Sequence, residues 1–390
     1  MTAPASAPAA PVSAPGALAP RVLFQLHCWL GLILGAFLSF MGLSGAVMSF
    51  EDEIMLALSP QASVTAPATA APLALDELID RVTRQRPGAT LLSLQIEHAP
   101  DRAWTAAFLR KAGGRNQRIL IDPYNGQLRG EATGAAFFET VRNLHRYLTP
   151  GAAKDGIGHA LTGASALGLV FFALSGLYLR FSQGTRALRH WLRPDLRLRG
   201  KDLYRMLHRV LGTWLVVVYL ALAGSGLWWS YDSYRQGLTW LLADAPRGGQ
   251  GPGEAKNIAA APVAPPVDWD AAWRLARLRH GGAFQSAVIF FPPPAKNIRI
   301  RIVPRQAAHD RAADEITLNG HGLTVVRFTP YAALRPGDRI INNMDPIHTG
   351  MAFGLAGRIV FALASAGVPV FFITGLLLYR RRTSAKKAAL

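Results

Sequence analysis

Residues 26–53 read LHCWLGLILGAFLSFMGLSGAVMSFEDE, and residues 207–233 read LHRVLGTWLVVVYLALAGSGLWWSYDS. Both open Leu-His-x-x-Leu-Gly, run apolar to a Ser-Gly step, and finish on aromatic and acidic residues. The interval from His27 to Gly45 equals that from His208 to Gly226. Crossing ~30 Å of hydrocarbon takes about 20 apolar residues in a helix. The nearly charge-free stretches 22–50 and 210–231 meet that length, as do 157–179 and 359–379. The expected fold is therefore a membrane α-helical bundle of four transmembrane helices.

The other two spans match each other as well. The second ends ALSGLYLRF (173–181) and the fourth ends FITGLLLYRR (372–381). The chain thus reads as two copies of helix, outer segment, helix, an internal twofold repeat whose copies face the same way. Each outer segment carries one helix followed by strands. In the first, LALDELIDRVTRQRP (73–87) has helical spacing. TLLSLQIEH, AWTAAFLRK and QRILIDPYNGQLRG alternate as strands, the last around a Pro-Tyr-Asn-Gly turn. In the second, WDAAWRLARLRH precedes FQSAVIFFPP, NIRIRIVP and DEITLNGHGLTVVRF. Pro- and Gly-rich stretches at 59–72 and 246–266 read as linkers.

The net charge of +18 does not point to nucleic acid, because of where the charges fall. Arg180, Arg186, Arg189, Arg193, Arg197, Arg199, Lys201 and Arg205 lie between spans two and three, and Arg380, Arg381, Arg382, Lys386 and Lys387 follow span four. Acidic Glu51, Asp52, Glu53 and Asp232 follow spans one and three. Short basic segments stay in the cytoplasm. Both termini are expected inside, and the outer segments are expected in the periplasm. The boundaries are a disordered cytoplasmic tail at 1–20, spans at 21–50, 157–180, 207–231 and 348–380 (with a lead-in), outer α+β segments at 51–156 and 232–347, a basic loop at 181–206 and a tail at 381–390. The Ala-, Pro- and Ser-rich start lacks the basic residues and cleavage site of a signal peptide. The single cysteine, Cys28, excludes an internal disulfide and any cysteine-ligated metal or iron–sulfur site.

There are ten histidines. His98, His190, His280, His309 and His321 fall in turns or the basic loop and read as solvated. His27 and His208 mark the cytoplasmic ends of spans one and three, where the repeat can bring them face to face. His145, His159 and His348 lie on the outer side. Aligning Gly176 with Gly375 sets His159 opposite Arg358 and brings His145 within four residues of His348. The partner of His348 is thus either His145 or His159. Ionisable groups at membrane depth are costly and mark function. Imidazoles paired from two helices in an apolar setting suit haem b with two axial histidines, one haem toward each face. Zinc is disfavoured, because no carboxylate or cysteine joins the histidines at ligand spacing. A proton relay would need Asp or Glu within the spans, which hold almost none.

Several stretches, in order, resemble the PepSY-associated transmembrane proteins, also described as iron-regulated membrane proteins of the PiuB type. They are LHCWLGLILG, SGAVMSFEDEI, ILIDPYNGQLRG, NLHRYL, GHALTGASALGLVFFALSGLYLR, LHRVLGTW and IHTGMAFGLAGRIVFALAS with TGLLLYRRR. The resemblance covers about residues 20–385 and makes 73–130 a PepSY-like segment. It implies a multi-pass bacterial inner-membrane protein that reduces ferric siderophores or other ferric chelates. It also implies a separate cytoplasmic electron donor, a flavoprotein reductase or quinol. His27 and His208 carry over as inner haem ligands, and His348 with His159 or His145 as the outer ones. Two other readings compete: a cofactor-free membrane regulator of peptidases, and an iron or siderophore permease.

Overall fold

The computed structural model describes residues 18–67, 71–110, 116–151, 156–182, 191–243, 267–292, 297–320 and 324–387. Among them, four helices are long and apolar enough to span a bilayer. They are α1 (Leu18–Met48), α5 (Ile157–Phe181), α6 (Gly200–Ser230) and α11 (Gly354–Lys387). Ile33, Leu167, Val217 and Leu363 on these helices are 50–72% exposed. Apolar surface of that extent suits acyl chains rather than water, so the chain is a multi-pass membrane protein.

The four spans close into a ring in which α1 packs on α5 and α11, and α6 packs on α5 and α11. That leaves α1 and α6 on one diagonal, α5 and α11 on the other. Glycines permit the closest approach. A Cβ at Gly42 would meet the Ser365 carbonyl at 2.5 Å, and one at Gly35 would meet Phe372 at 2.7 Å. Small residues at such crossings are how spans pack where lipid removes the hydrophobic drive.

The sheet end of the bundle carries helices α2 (Glu51–Ala57), α3 (Leu75–Arg84) and α4 (Ala135–Tyr147), then α7 (Asp232–Leu242), α8 (Trp269–His280), α9 (Pro336–Asn342) and α10 (Met344–Thr349). The strands are β1 (Leu91–Glu97), β2 (Trp104–Phe108), β3 (Gln117–Ile121), β4 (Leu128–Gly130), β5 (Phe284–Phe290), β6 (Ile298–Pro304), β7 (Asp314–Leu318) and β8 (Val325–Thr329). The outer regions, expected as two separate segments, form one antiparallel sheet ordered β4-β3-β2-β1-β5-β6-β7-β8. Its seam pairs β1 with β5, Leu94 opposite Ile289 and Ile96 opposite Ala287. Each strand would otherwise leave an unpaired edge of N–H and C=O groups. Leu94, Ile96, Ala106, Phe108, Ile289, Ile300, Ile302 and Ile316 bury one face under Leu75, Leu78 and Val82 of α3 and Ala272 and Ala276 of α8.

The two covering helices cap each other. Asp76 accepts from the Trp269 and Asp270 amides at 3.1 and 3.2 Å. Asp270 accepts from the Leu75 and Asp76 amides at 2.7 and 3.3 Å. Each carboxylate satisfies orphan N–H donors at the other helix's first turn.

Several expected boundaries move. Residues 59–67 are not a free linker: Ser59, Ala62 and Val64 are buried, and Ser63 bridges Arg102. The basic loop is shorter than 181–206, because α6 already begins at Gly200. This places His208 two turns inside its helix, not at the mouth. The last helix runs on through the tail region to Lys387. The linker 246–266, His190 and His321 lie outside the described residues.

Candidate functional site

The far end of the bundle, away from the sheet, holds His27 and His208. They come from the diagonal helices α1 and α6, and their ring centres lie 6.3 Å apart at 68°. The other diagonal holds them in place: His27 Nδ1 is 2.7 Å from Ser175 Oγ on α5, and His208 Nδ1 is 2.9 Å from Thr374 Oγ1 on α11. Next along the chain, Gly176 and Gly375 leave room for the imidazoles; a Cβ there would sit 3.6 and 3.9 Å from the Cε1 atoms.

The sheet end repeats this arrangement with the roles of the elements exchanged. His145 of α4 and His348 of α10 have ring centres 6.3 Å apart at 70°. Ser44 Oγ of α1 lies 3.1 Å from His145 Nδ1, and Ser225 Oγ of α6 lies 3.0 Å from His348 Nδ1. Gly45 and Gly226 again face the rings, at 3.3 and 3.5 Å from Cε1. Along α1 the seventeen residues from His27 to Ser44 rise about 25 Å, at about 1.5 Å per residue.

These hydroxyls also reach their own helices' carbonyls. Ser44 donates to the Phe40 carbonyl at 2.8 Å, Ser225 to Ala221 at 2.5 Å and Thr374 to Val370 at 2.6 Å. A hydroxyl whose hydrogen goes to its own helix's carbonyl accepts from the imidazole. The Met41 carbonyl, 2.9 Å from His145 Nδ1, can likewise only accept. At His145 Nδ1 therefore carries the proton, and Nε2 keeps its lone pair. Burial, and then the neighbouring His348, push His145 down to about 4. Burial also lowers His348. At neutral pH the sheet-end pair is uncharged, the state a metal ligand needs.

Two Nε2 atoms that share one metal, at about 2 Å per bond and about 1.2 Å from nitrogen to ring centre, put the centres about 6.3 Å apart. Both pairs have that spacing. Two imidazoles alone do not complete a metal's coordination, and the described residues hold no cluster of three or more His, Cys, Asp or Glu able to bind an ion. The missing ligands would have to arrive with the metal, as in a macrocycle. A cavity beside His27 and His208 is lined by Gly31, Gly35, Gly176 and Gly212 with Phe172 and Phe371. Its walls are mostly apolar, with Arg180 and Arg209 among them, and the four glycines put no side chain into it, which suits a flat, largely apolar group. The residues beside His27 and His208 therefore fit haem b, and His145 and His348 share the ring spacing.

The open choice at the sheet end resolves in the geometry. His145 is the histidine that faces His348. His159 instead packs on Tyr147, ring centres 5.6 Å apart, with Nδ1 3.4 Å from the Arg146 carbonyl. Arg358, its match in the aligned sequence, pairs with Glu53 and donates to the Ser49 carbonyl at 2.6 Å. Two histidines expected in solvent are not there: His309 is 8% exposed, and the His280 side chain is buried 3.3 Å from Asp314. His98 is exposed as expected. The four hydroxyl residues were missed as participants. Their signal is a Ser-Gly or Thr-Gly step in every span, at 44–45, 175–176, 225–226 and 374–375.

A family model described as PepSY-associated TM region matches residues 24–382, nearly the whole chain. No curated protein matches it.

Proposed function

The chain belongs to the PepSY-associated transmembrane family, and from that membership and its two histidine pairs we propose that it is a bacterial inner-membrane haem b protein that passes electrons outward to ferric chelates. His27 and His208 hold one haem, and His145 and His348 a second. Haem b, when bound, supplies one-electron redox chemistry in a setting that excludes water. The observation that carries this reading is the equal 6.3 Å spacing of the two pairs, each with Nδ1 engaged by a hydroxyl.

Orientation follows from charge. Arg193, Arg197 and Arg199 lie between α5 and α6, and Lys201 and Arg205 in the first turns of α6; short basic segments are retained in the cytoplasm. On this reading both termini and the His27–His208 pair are cytoplasmic, the sheet is a periplasmic PepSY-like domain, and the bundle is an internal twofold repeat. A separate flavoprotein or quinol delivers electrons at the inner pair. At the outer pair one electron converts Fe(III) in the chelate to Fe(II). Hard oxygen donors hold Fe(II) less tightly, so the metal is released. The residues hold, orient and insulate: the hydroxyls keep Nε2 aimed inward, and Phe172 and Phe371 pack against His27 and His208 with ring centres 5.4 and 5.3 Å away.

The test is rapid mixing of dithionite-reduced protein, freed of excess reductant, with a ferric hydroxamate chelate. Reoxidation of the haem with stoichiometric Fe(II) release is expected, along with its loss in His145→Ala. A reduced haem that ferric chelates leave untouched would rule out this substrate class.

A further inference from the structure

The two histidines at the sheet end are held in different ways. His145 sits on α4, which is thirteen residues long and packs on α1 and α5. His348 sits on α10, which has six residues. A helix that short does not hold itself together, so its place comes from tertiary contacts. α10 packs on α6 and is entered through Asn343, whose carbonyl accepts from the Ile347 amide at 2.8 Å.

Asn343 is buried, and its Nδ2 donates to the Tyr331 hydroxyl at 2.5 Å. Tyr331 is tied in turn to the sheet, its amide donating to Asp314 Oδ1 of β7 at 2.8 Å. Two more side chains close on the same ring. His309 stands edge-on to it, ring centres 6.1 Å apart at 87°, and the central carbon of the Arg339 guanidinium lies 5.6 Å from its centre. Each of these three neighbours of Tyr331 has a buried polar atom with no hydrogen-bond partner among the described residues: Asn343 Oδ1, His309 Nδ1 and Arg339 Nε. Turning the Asn343 amide over changes nothing, since one of its polar atoms then faces Tyr331 and the other is still left over. Buried polar atoms without a protein partner are satisfied by ordered water. The guanidinium excludes a metal ion from this place. Water accepts from Arg339 Nε–H and donates to an imidazole nitrogen or an amide oxygen.

We propose that ordered water bridges His309, Arg339 and Asn343 beside Tyr331, and that this hydrated cluster makes Tyr331 and Asn343 positioning residues for His348. The second half rests on the haem reading above. It ties one outer ligand to the sheet, from β7 through Tyr331 and Asn343 to α10.

The experiment combines a high-resolution density map of the haem-loaded full chain with two comparisons of wild type and Tyr331→Phe: haem transfer to an apo-globin, and low-temperature spin-resonance spectra. The wild-type map should show a water peak within hydrogen-bond reach of at least two of the three atoms. Tyr331→Phe keeps the ring and releases Asn343. The outer haem should then leave severalfold faster, and its low-spin signal, which reports how the two imidazole planes are set, should shift. The inner haem should keep its rate and signal, which shows that the variant is folded. Asn343→Ala carries the same expectation and stands in if Tyr331→Phe fails to fold. A dry cluster overturns the water site. An outer haem unmoved in rate and signal overturns the positioning role and leaves the haem reading intact. If wild type holds no haem, that reading and the positioning role fall together, while the map still decides the water site.

Discussion

At the scale of single residues, an imidazole's usefulness here depends on a hydroxyl one helix away. The acceptor on Nδ1 raises the basicity of Nε2 and fixes the ring, and losing such a partner commonly costs 10–100-fold in metal affinity. Thr374→Val keeps the volume and removes the acceptor from His208. It should weaken haem retention at the inner pair by about tenfold and shift that midpoint potential positive, because a less basic ligand favours the oxidised iron less. A potentiometric titration reads both; an unchanged inner potential would show that the 2.9 Å contact is incidental. Gly226→Val tests the steric side. A Cβ there already lies 3.5 Å from His348 Cε1, so branching at Cβ should displace the ring and abolish the outer haem only, as counted by haem extraction.

At the scale of elements, α3 and α8 hold the two outer regions together through Asp76 and Asp270. α8 also has its own cap, Asp268 accepting from the Ala271 amide at 2.7 Å, whereas α3 starts at Ala74 with no side-chain cap of its own. Asp270→Ala should therefore cost about 1–2 kcal/mol, and more than Asp268→Ala, in chemical denaturation of the detergent-solubilised protein; the reverse ranking would refute the cross-capping. Burial lifts the Asp76 carboxyl above its ordinary range, and the facing Asp270 adds to this. The folded chain thus holds that proton more tightly than the unfolded chain does. Its contribution is full below about pH 4 and is lost as pH climbs through the raised value. Asp76→Asn imitates the protonated form, so its melting temperature relative to wild type should climb between about pH 4 and pH 7. A gap that stays constant across that window would mean the two carboxylates do not repel.

At the scale of the whole molecule, the fold was legible where physics is local. Four uncharged runs gave four spans, and alternating LLSLQIE and IRIRIVP gave strands. The β1–β5 seam was not legible, because pairing between residues about 190 apart leaves no mark on either strand's own pattern. The same holds for the start of α6: Gly200 to Leu207 is polar enough to read as loop, yet tertiary packing carries the helix through it. Of the candidate site, His27, His208 and His145 share a Leu-His context, and His348, which follows Ile347, was singled out by its place beside the fourth span. The choice of His145 over His159 needed the geometry, since both lie near the same span entry. The supporting hydroxyls were in plain view as Ser-Gly and Thr-Gly, but serines are common in spans, and a role appears only when the facing helix is known.

Orientation is a whole-molecule property too, and it can be checked with single cysteines in a Cys28→Ala background. Asp195→Cys, between α5 and α6, should react with a membrane-impermeant maleimide only after the inner membrane is opened. Asp101→Cys, in the β1–β2 turn, should react in intact spheroplasts. The opposite pattern would invert the proposed direction of electron flow.

The central claim is that each histidine pair holds one haem, and the most direct test is a dithionite-reduced minus oxidised spectrum of the purified protein, with haem counted per chain. The account predicts a b-type spectrum with two haems per chain, falling to one in His208→Ala and to one in His348→Ala, and none in the double variant. His159→Ala should leave both. A flat spectrum from protein made with ample haem, or a haem count indifferent to all four paired histidines, would contradict it.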